Sequence, residues 1–473
     1  MGGERLAVRE GGRRQSFAEL RARVRRRRSG LAAAGIGAGD RVAVLLPTGG
    51  GFVEVVHAVD AAGATLLPLH LRQSEDELAF QLADANARAL IHGDGALRPR
   101  AEALHELVGT PLLPLAALDG PPGEAGAPVD PEAALGLLYT SGTTGRPKGA
   151  LLSRRAFRAS ARASAALLGV QPGDCWLVCL PLQHVAGLSL LTRSVLHGTS
   201  LLLHDGFDPE RVSDAVDREG IAGVSLVPSM LARVLDARAD RPPPSRLRRI
   251  LLGGAAAPAP LLARAAEAGF PVAPTYGLTE ATSQVATRLP GRTGGLTPLP
   301  GLEVRVADDD GHRARAGEPG EIVLRGATLF SGYVGRPVAS AEALRDGWLR
   351  TGDVGRFDAD GGLHVLDRRL DLIVSGGENV YPAEIERVLL EHPEVVDAGV
   401  AGAPDARFGA RPVAWVVLRR EPPPDLRGFC RKRLASYKVP LDFHAVARLP
   451  RNTLGKLERH RLGGKALEEG VPQ

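Results

Sequence analysis

Between Thr140 and Gly149 the chain places four hydroxyl side chains, three glycines and one lysine: Thr140-Ser141-Gly142-Thr143-Thr144-Gly145-Arg146-Pro147-Lys148-Gly149. Glycine lets backbone N–H groups come close to a ligand and adopt positive φ. Hydroxyls and N–H groups together make a concave anion site, and Lys148 adds a compact positive charge. That chemistry suits a polyphosphate. A P-loop would read G-x-x-x-x-G-K-[ST]. Here Lys148 lies three residues past Gly145 and Gly149 follows it, so that pattern fails. A flexible Gly/Thr-rich linker is the plain alternative. The apolar run Ala133 to Tyr139 in front, which reads as a buried strand, and the Pro-Lys-Gly behind argue against it.

Such a loop needs elements to hold it. Ser16 to Glu19 carries a capping-box pattern that starts a helix. Gly39 to Leu46 reads as a turn feeding a buried strand, Val53 to Ala62 as a helix, and Ala64 to Leu69 as a strand. Ser74 to Ala85 is helical and Ala89 to Ile91 a short strand. The alternation predicts an α/β fold with mostly parallel, doubly wound sheets. After the loop, the sequence predicts a helix over Ser153 to Leu168, a strand over Cys175 to Leu182, and a helix and strand within Leu190 to Leu203. A helix over Asp208 to Glu219 and strands over Ile221 to Val227 and from Arg249 follow. From Thr297 to Leu366 short alternating segments between Asp/Gly turns read as an antiparallel β subdomain. The last hundred or so residues read as a small α+β domain, with strands over Val395 to Ala401 and Pro412 to Leu418 and a helix over Asp425 to Leu434. The domain boundary is expected at 367/368, in the charged joint Asp367-Arg368-Arg369-Leu370-Asp371.

The bulk composition narrows the function classes. At 473 residues, 44% hydrophobic and 24% charged, the chain suits a soluble globular protein of two or more folding units. The net charge of +5 suits anionic small molecules. The run Arg25 to Arg28 lacks stacking aromatics, so a solvated helix face is favoured and no nucleic-acid partner is expected. Cys175, Cys179 and Cys430 make no disulfide framework. No signal peptide and no membrane span are expected, which makes the cytoplasm the default.

Several further strings sit where an open α/β sheet meets its ligands. They are Pro181-Leu182-Gln183-His184-Val185-Ala186-Gly187, the glycine turn Leu252-Gly253-Gly254-Ala255, and Thr275-Tyr276-Gly277-Leu278-Thr279-Glu280. With the phosphate stretch, Gly352-Asp353 and the tail Pro450-Arg451-Asn452-Thr453-Leu454-Gly455-Lys456, they closely resemble, in order, the signatures of the acyl-adenylate-forming enzymes. The resemblance covers nearly the whole chain. It implies a large AMP-binding domain over 1–367 with a β-barrel-like subdomain at about 297–366. A small, mobile domain over 368–473 would carry the catalytic lysine.

The resemblance also implies roles. Thr140, Ser141, Gly142, Thr143, Thr144, Gly145 and Lys148 would hold the phosphates of ATP, with Thr143 also counted as catalytic. Gly253, Gly254, Ala255 and Gly277 would line the adenine side, Tyr276 would stack on the base, and Thr279 would bond phosphate. Glu280 would bind Mg²⁺, which usually takes one or two carboxylates plus phosphate oxygens. Asp353 would hold the ribose hydroxyls and Arg368 the nucleotide. His184 would act beside the acyl pocket, and Lys456 would bridge carboxylate and α-phosphate. Gly376 and Gly377 would face the pantetheine of CoA after rotation at the joint. The usual charged pivot is replaced here by Leu370.

The resemblance implies an ATP-dependent acid–CoA ligase. Three strings are most similar to its o-succinylbenzoate–CoA ligase branch: His184 to Ser189 with Arg193-Ser194-Val195, Thr282-Ser283-Gln284, and Ser375 to Pro382. That dicarboxylic acid would need a cationic or donor-rich pocket, for which His184, Arg193, Ser283 and Gln284 are candidates. Arg193 bonding internal carbonyls is an equally simple reading. Three other functions stay open: another aryl- or fatty-acyl-CoA ligase, a free-standing adenylation enzyme loading a carrier protein, and a binding protein without activity. Partners are a small carboxylic acid, ATP and CoA. The sequence also leaves room for a homo-oligomer.

Overall fold

The structure is a computed structural model that describes residues 3–123, 128–140, 147–255, 257–308, 310–368, 371, 373–375, 378–405, 409–420, 425–434, 436–451 and 457–463. Of these, the side chains of residues 367, 368, 374, 378, 379, 409 and 460 are outside the description. Several expected site residues therefore lie outside the described residues: Ser141, Gly142, Thr143, Thr144, Gly145, Gly376, Gly377, Lys456 and the pivot Leu370. For Arg368 only the backbone is described.

Among the described residues the strands form four sheets. The first has nine strands. Its parallel centre runs Val272–Leu278, Arg249–Leu252, Ile221–Leu226, Cys175–Val178, Ser200–Leu203 and Leu6–Glu10. The second has seven, with Ala134–Thr140, Thr65–Pro68, Arg41–Leu45, Ala89–His92 and Leu112–Pro114 parallel in that order. These central strands are apolar on both faces because helices cover both, as parallel strands require. Helix Phe17–Ala33 starts with the expected Ser16/Glu19 capping box. The helices Gly50–Ala61 and Arg154–Leu168 bring Phe52 and Phe157, each 1% exposed, into the shared core. Burying a side chain of that size contributes roughly 1.5–3 kcal/mol.

The third sheet is antiparallel, with Leu302–Ala307, Gly320–Gly326, Trp348–Phe357 and Leu344–Arg345 in order and Leu363–Arg368 paired to Trp348–Phe357. The expected boundary at 367/368 falls in the last two residues of that final strand. The fourth sheet, from Ile373 onward, packs the helix Pro382–Leu390 over its own core of Ile385, Val400, Ala414 and Cys430. The architecture matches the expected α/β class: two large sheets, an antiparallel subdomain and a small α+β unit. Among the described residues, no helix is long and apolar enough to cross a membrane.

Three local features add to the expected elements, and one expected boundary needs correction. A strand precedes the helix expected from Ser153. Lys148–Ser153 is a strand that pairs antiparallel with Ala134–Thr140, Thr140 opposite Lys148. Its apolar residues Ala150 and Leu152 are buried in the sheet, and the helix begins only where Ser153 caps Ala156 N. Tyr276, Gly277 and Leu278 continue the strand Val272–Leu278 because Ser283–Thr287 supplies an antiparallel partner. The residues after His184 are the first turn of helix Val185–His197. A Cβ at Gly187 would lie 2.6 Å from Leu182 Cα, so glycine there allows close packing. Finally, the strand from Cys175 ends at Val178, well before Leu182.

Candidate active site

The carboxyl ends of parallel strands from both large sheets open onto one cavity of about 740 Å³. Pro68 and His70 follow one strand, Leu180, Gln183 and His184 another, Val227 a third and Gly253 and Gly254 a fourth. This is where an open α/β sheet binds ligands, because the connections diverge there and leave a crevice.

The cavity wall at the phosphate hairpin is built from Thr140, Lys148, Glu280 and Tyr333. Glu280 Oε1 accepts a 2.9 Å hydrogen bond from the Tyr333 hydroxyl and a longer one, 3.5 Å, from Thr140 Oγ1. Lys148 Nζ stands 5.4 Å from the Tyr333 ring centroid. Among the described residues no cluster of three or more His, Cys, Asp or Glu side chains could form a metal cage. A lone carboxylate flanked by hydroxyls fits Mg²⁺ brought in on a polyphosphate and does not fit a dedicated protein-only site.

Along the nine-stranded sheet, Gly253, Gly254, Tyr276, Gly277 and Thr279 line the cavity, while Ala255 does not. Gly277 has a local reason for its identity, since a Cβ there would lie 1.7 Å from Ser283 O. The Tyr276 hydroxyl donates a 2.6 Å bond to Asp353 Oδ2. Asp353 is buried and sits behind Tyr276, outside the cavity lining. Its strand partner directly opposite is Arg368. The structure thus brings three of the expected nucleotide residues into one line.

The cavity is also lined by His184, Ser189, Arg193, Ser160, Ser164, Ser283 and Gln284. His184 forms the N-cap of its helix, with its ring 5.0 Å from that of His70. Its buried Nε2 has no hydrogen-bond partner. Burial pushes its pKa down to about 3, helped by the neighbouring His70, so the ring is neutral. Arg193 is only 6% exposed. It donates from NH1 to Ser164 Oγ at 2.9 Å and lies 4.1 Å from the centroid of the Trp176 ring, while NH2 has no partner. Burial pulls its pKa down to about 9, with Arg249 adding repulsion. Expectation that Arg193 only bonds internal carbonyls is not met. Its described partner is a serine hydroxyl, and one nitrogen is left over. Ser283 lines the cavity at φ 86°, an uncommon conformation for a residue with a side chain. Gln284 is buried, and its amide nitrogen is already committed to Thr287 Oγ1.

The sequence reading missed His70, Trp176 and Tyr333. His70 follows a strand end just as His184 does, so the same signal was there to read. Trp176 and Tyr333 sit inside strands with no local mark of function. The small domain also reaches the cavity through Arg451 and Glu458. Arg451 bridges to Leu457, the residue after Lys456.

Residues 2–334 match the AMP-binding enzyme family and residues 384–456 the AMP-binding enzyme C-terminal domain. The chain is 43% identical to the 2-succinylbenzoate–CoA ligase of Geobacillus kaustophilus over 474 residues, covering 97% of this chain and 94% of that protein. It superposes on the o-succinylbenzoate coenzyme A synthetase of Bacillus subtilis bound to its acyl-adenylate intermediate with a TM-score of 0.90. The identity is 38%, with 97% and 95% of the two chains covered. The same enzyme with ATP and magnesium ion gives a TM-score of 0.89 at 38% identity, covering 97% and 96%.

Proposed function

The chain belongs to the AMP-binding enzyme family, and from that premise we propose that it joins 2-succinylbenzoate to CoA at the expense of ATP, as its relatives' names state for them. In the first half, a carboxylate oxygen of the acid attacks the α-phosphorus of ATP. The bond to the β-phosphate oxygen breaks, giving acyl-AMP and pyrophosphate. In the second half, the CoA thiol loses its proton and its sulfur attacks the acyl carbon, releasing AMP. This places the enzyme in menaquinone biosynthesis, and its need for ATP and CoA supports a cytoplasmic location.

The first step brings an anion to a polyanion, so the protein must neutralise charge and fix geometry. Thr140, Lys148 and the loop between them hold the β- and γ-phosphates, and Ser141 to Gly145 supply hydroxyls and N–H groups. Tyr276 stacks on adenine between the Gly253-Gly254 turn and Thr279. Asp353, steered by the Tyr276 hydroxyl, accepts from the ribose, with Arg368 opposite. Glu280 holds Mg²⁺, which when bound neutralises charge on the departing pyrophosphate. Lys456, between Arg451 and Glu458 in the sequence, bridges the carboxylate and the α-phosphate. It must then leave so that the Gly376-Gly377 face can admit the thiol. That exchange by domain rotation is an established class of gating motion.

One observation carries the choice of acid. The cavity is lined by Arg193, a nearly buried arginine held by Ser164 and Trp176 with one nitrogen unpaired. A buried cation with spare donors costs free energy unless an anion meets it. The second carboxylate of 2-succinylbenzoate supplies that anion, and neutral His184 faces the chain between the two carboxylates. Pyrophosphate release across a panel of mono- and dicarboxylic acids, with and without CoA, tests this. Equal rates with monocarboxylic aryl or fatty acids would overturn it, as would turnover that needs a carrier protein in place of CoA.

A further inference from the structure

The segment Phe330 to Val334 lies in none of the strings that mark nucleotide binding, yet it touches both charged groups of the phosphate wall. Phe330 N donates to the Glu280 carbonyl at 2.8 Å. Ser331 N donates to Leu151 O and Val334 N to Gly149 O, at 2.8 and 2.9 Å, which zips the segment onto the strand that begins at Lys148. Tyr333 projects from it with its ring packed edge-on against Phe330, centroids 4.8 Å apart. The ring neighbours Lys148, and its hydroxyl donates to Glu280 Oε1. Both described hydrogen bonds to the Glu280 carboxylate go to Oε1, and Oε2 accepts none among the described residues.

We propose that Tyr333 is a positioning residue for the metal–nucleotide complex: it ties down one oxygen of Glu280 and leaves the other turned to the cation carried by the triphosphate. The inference rests on the reading of Glu280 as the metal-binding carboxylate. A glutamate has a long, rotatable side chain, and ordering it costs entropy. Paying that cost in the free enzyme raises affinity for the metal, as with other residues that orient a metal ligand from behind. Hydrogen bonding through one oxygen also favours a monodentate site, the mode Mg²⁺ uses when phosphate oxygens and waters fill its remaining positions. The backbone bond from Phe330 fixes the same glutamate from its other end, so one short segment sets both its main chain and its carboxylate.

The test uses the full-length enzyme, Mn²⁺ as a paramagnetic stand-in for Mg²⁺, and a non-hydrolysable ATP analogue. Free Mn²⁺ is read by electron paramagnetic resonance. Tyr333→Phe keeps the ring and removes only the hydroxyl, and an unchanged melting temperature confirms that it folds. It is expected to weaken Mn²⁺–nucleotide binding about tenfold, the size of one hydrogen bond to a charged acceptor. Binding of the nucleotide in EDTA is expected to stay unchanged. In a Glu280→Gln background the same substitution is expected to have no further effect. The proposal falls if Tyr333→Phe binds Mn²⁺–nucleotide like the parent, if it weakens metal-free nucleotide equally, or if its effect persists in Glu280→Gln. Parental Mn²⁺ binding by Glu280→Gln alone would instead remove the underlying reading of Glu280.

Discussion

The Tyr276 hydroxyl donates a 2.6 Å hydrogen bond to Asp353 Oδ2, joining a strand of the nine-stranded sheet to one of the antiparallel subdomain. The side chain proposed to stack on adenine thus also orients the carboxylate proposed to hold the ribose. Removing the hydroxyl and removing the ring should therefore have different consequences. Tyr276→Phe is expected to raise KM for ATP several-fold with kcat nearly kept. Tyr276→Ala is expected to cost a further 1–3 kcal/mol or so, the usual worth of base stacking on an aromatic ring. Steady-state kinetics with ATP varied decides this. Equal effects of the two substitutions would remove the stacking role.

Arg193 should govern selectivity. Arg193→Gln is expected to raise KM for 2-succinylbenzoate about 10- to 100-fold, since a hydrogen bond to a charged group contributes roughly 1.5–3 kcal/mol. A monocarboxylic analogue should be turned over as before. A parallel fall for both acids would mean that Arg193 only supports the fold.

The Trp176 platform rests on a glycine. Gly223 lies opposite Trp176 in the parallel register, and a Cβ there would come within 2.4 Å of the ring. Gly223→Ala is expected to displace the ring and lower stability by about 1–3 kcal/mol, the usual cost of overpacking. Thermal denaturation measures it, and an unchanged melting temperature would show that the ring has room to move.

His184 predicts a direction for pH dependence. Its pKa drops from the ordinary 6.5 to about 3 because burial disfavours the charged ring. The unfolded chain therefore binds more protons between those values, and folding stability falls as pH drops from about 6.5 toward 3. His184→Gln is expected to flatten this slope in denaturant titrations at stepped pH. An unchanged slope would mean that other groups set it.

Lys456 should matter to one half-reaction only. Lys456→Ala is expected to slow adenylate formation by about 10²- to 10³-fold, the scale seen when a transition-state charge partner is removed. Thioester formation from supplied acyl-AMP and CoA should continue at the parental rate. Rapid-quench assays of each half separate the two, and equal loss in both would exclude a role confined to the first.

The strings proposed to contact ligands were legible because their chemistry is local. The hydroxyl-rich stretch before Lys148 and the carboxylate of Glu280 each carry chemistry in residue type alone. Element boundaries were less legible. The strand Lys148–Ser153 and the extension through Leu278 exist because distant partners hydrogen-bond them, and no propensity at Tyr276 or Lys148 records that partnership. Tyr333 and Trp176 were invisible for the same reason. An aromatic residue inside a strand reads as core, and only the packed structure shows Glu280 or Arg193 against it.

By itself, then, the sequence determined the α/β class, the order of the candidate nucleotide-binding strings and the candidate reacting groups, because residue type and short spacing carry that chemistry. Only the tertiary structure decided which of them meet. It seated Asp353 behind Tyr276, stacked Arg193 on Trp176 and tied Glu280 to Tyr333. Such pairings span up to 77 positions along the chain. They are set by sheet register and side-chain packing, which depend on every strand at once and not on any single stretch.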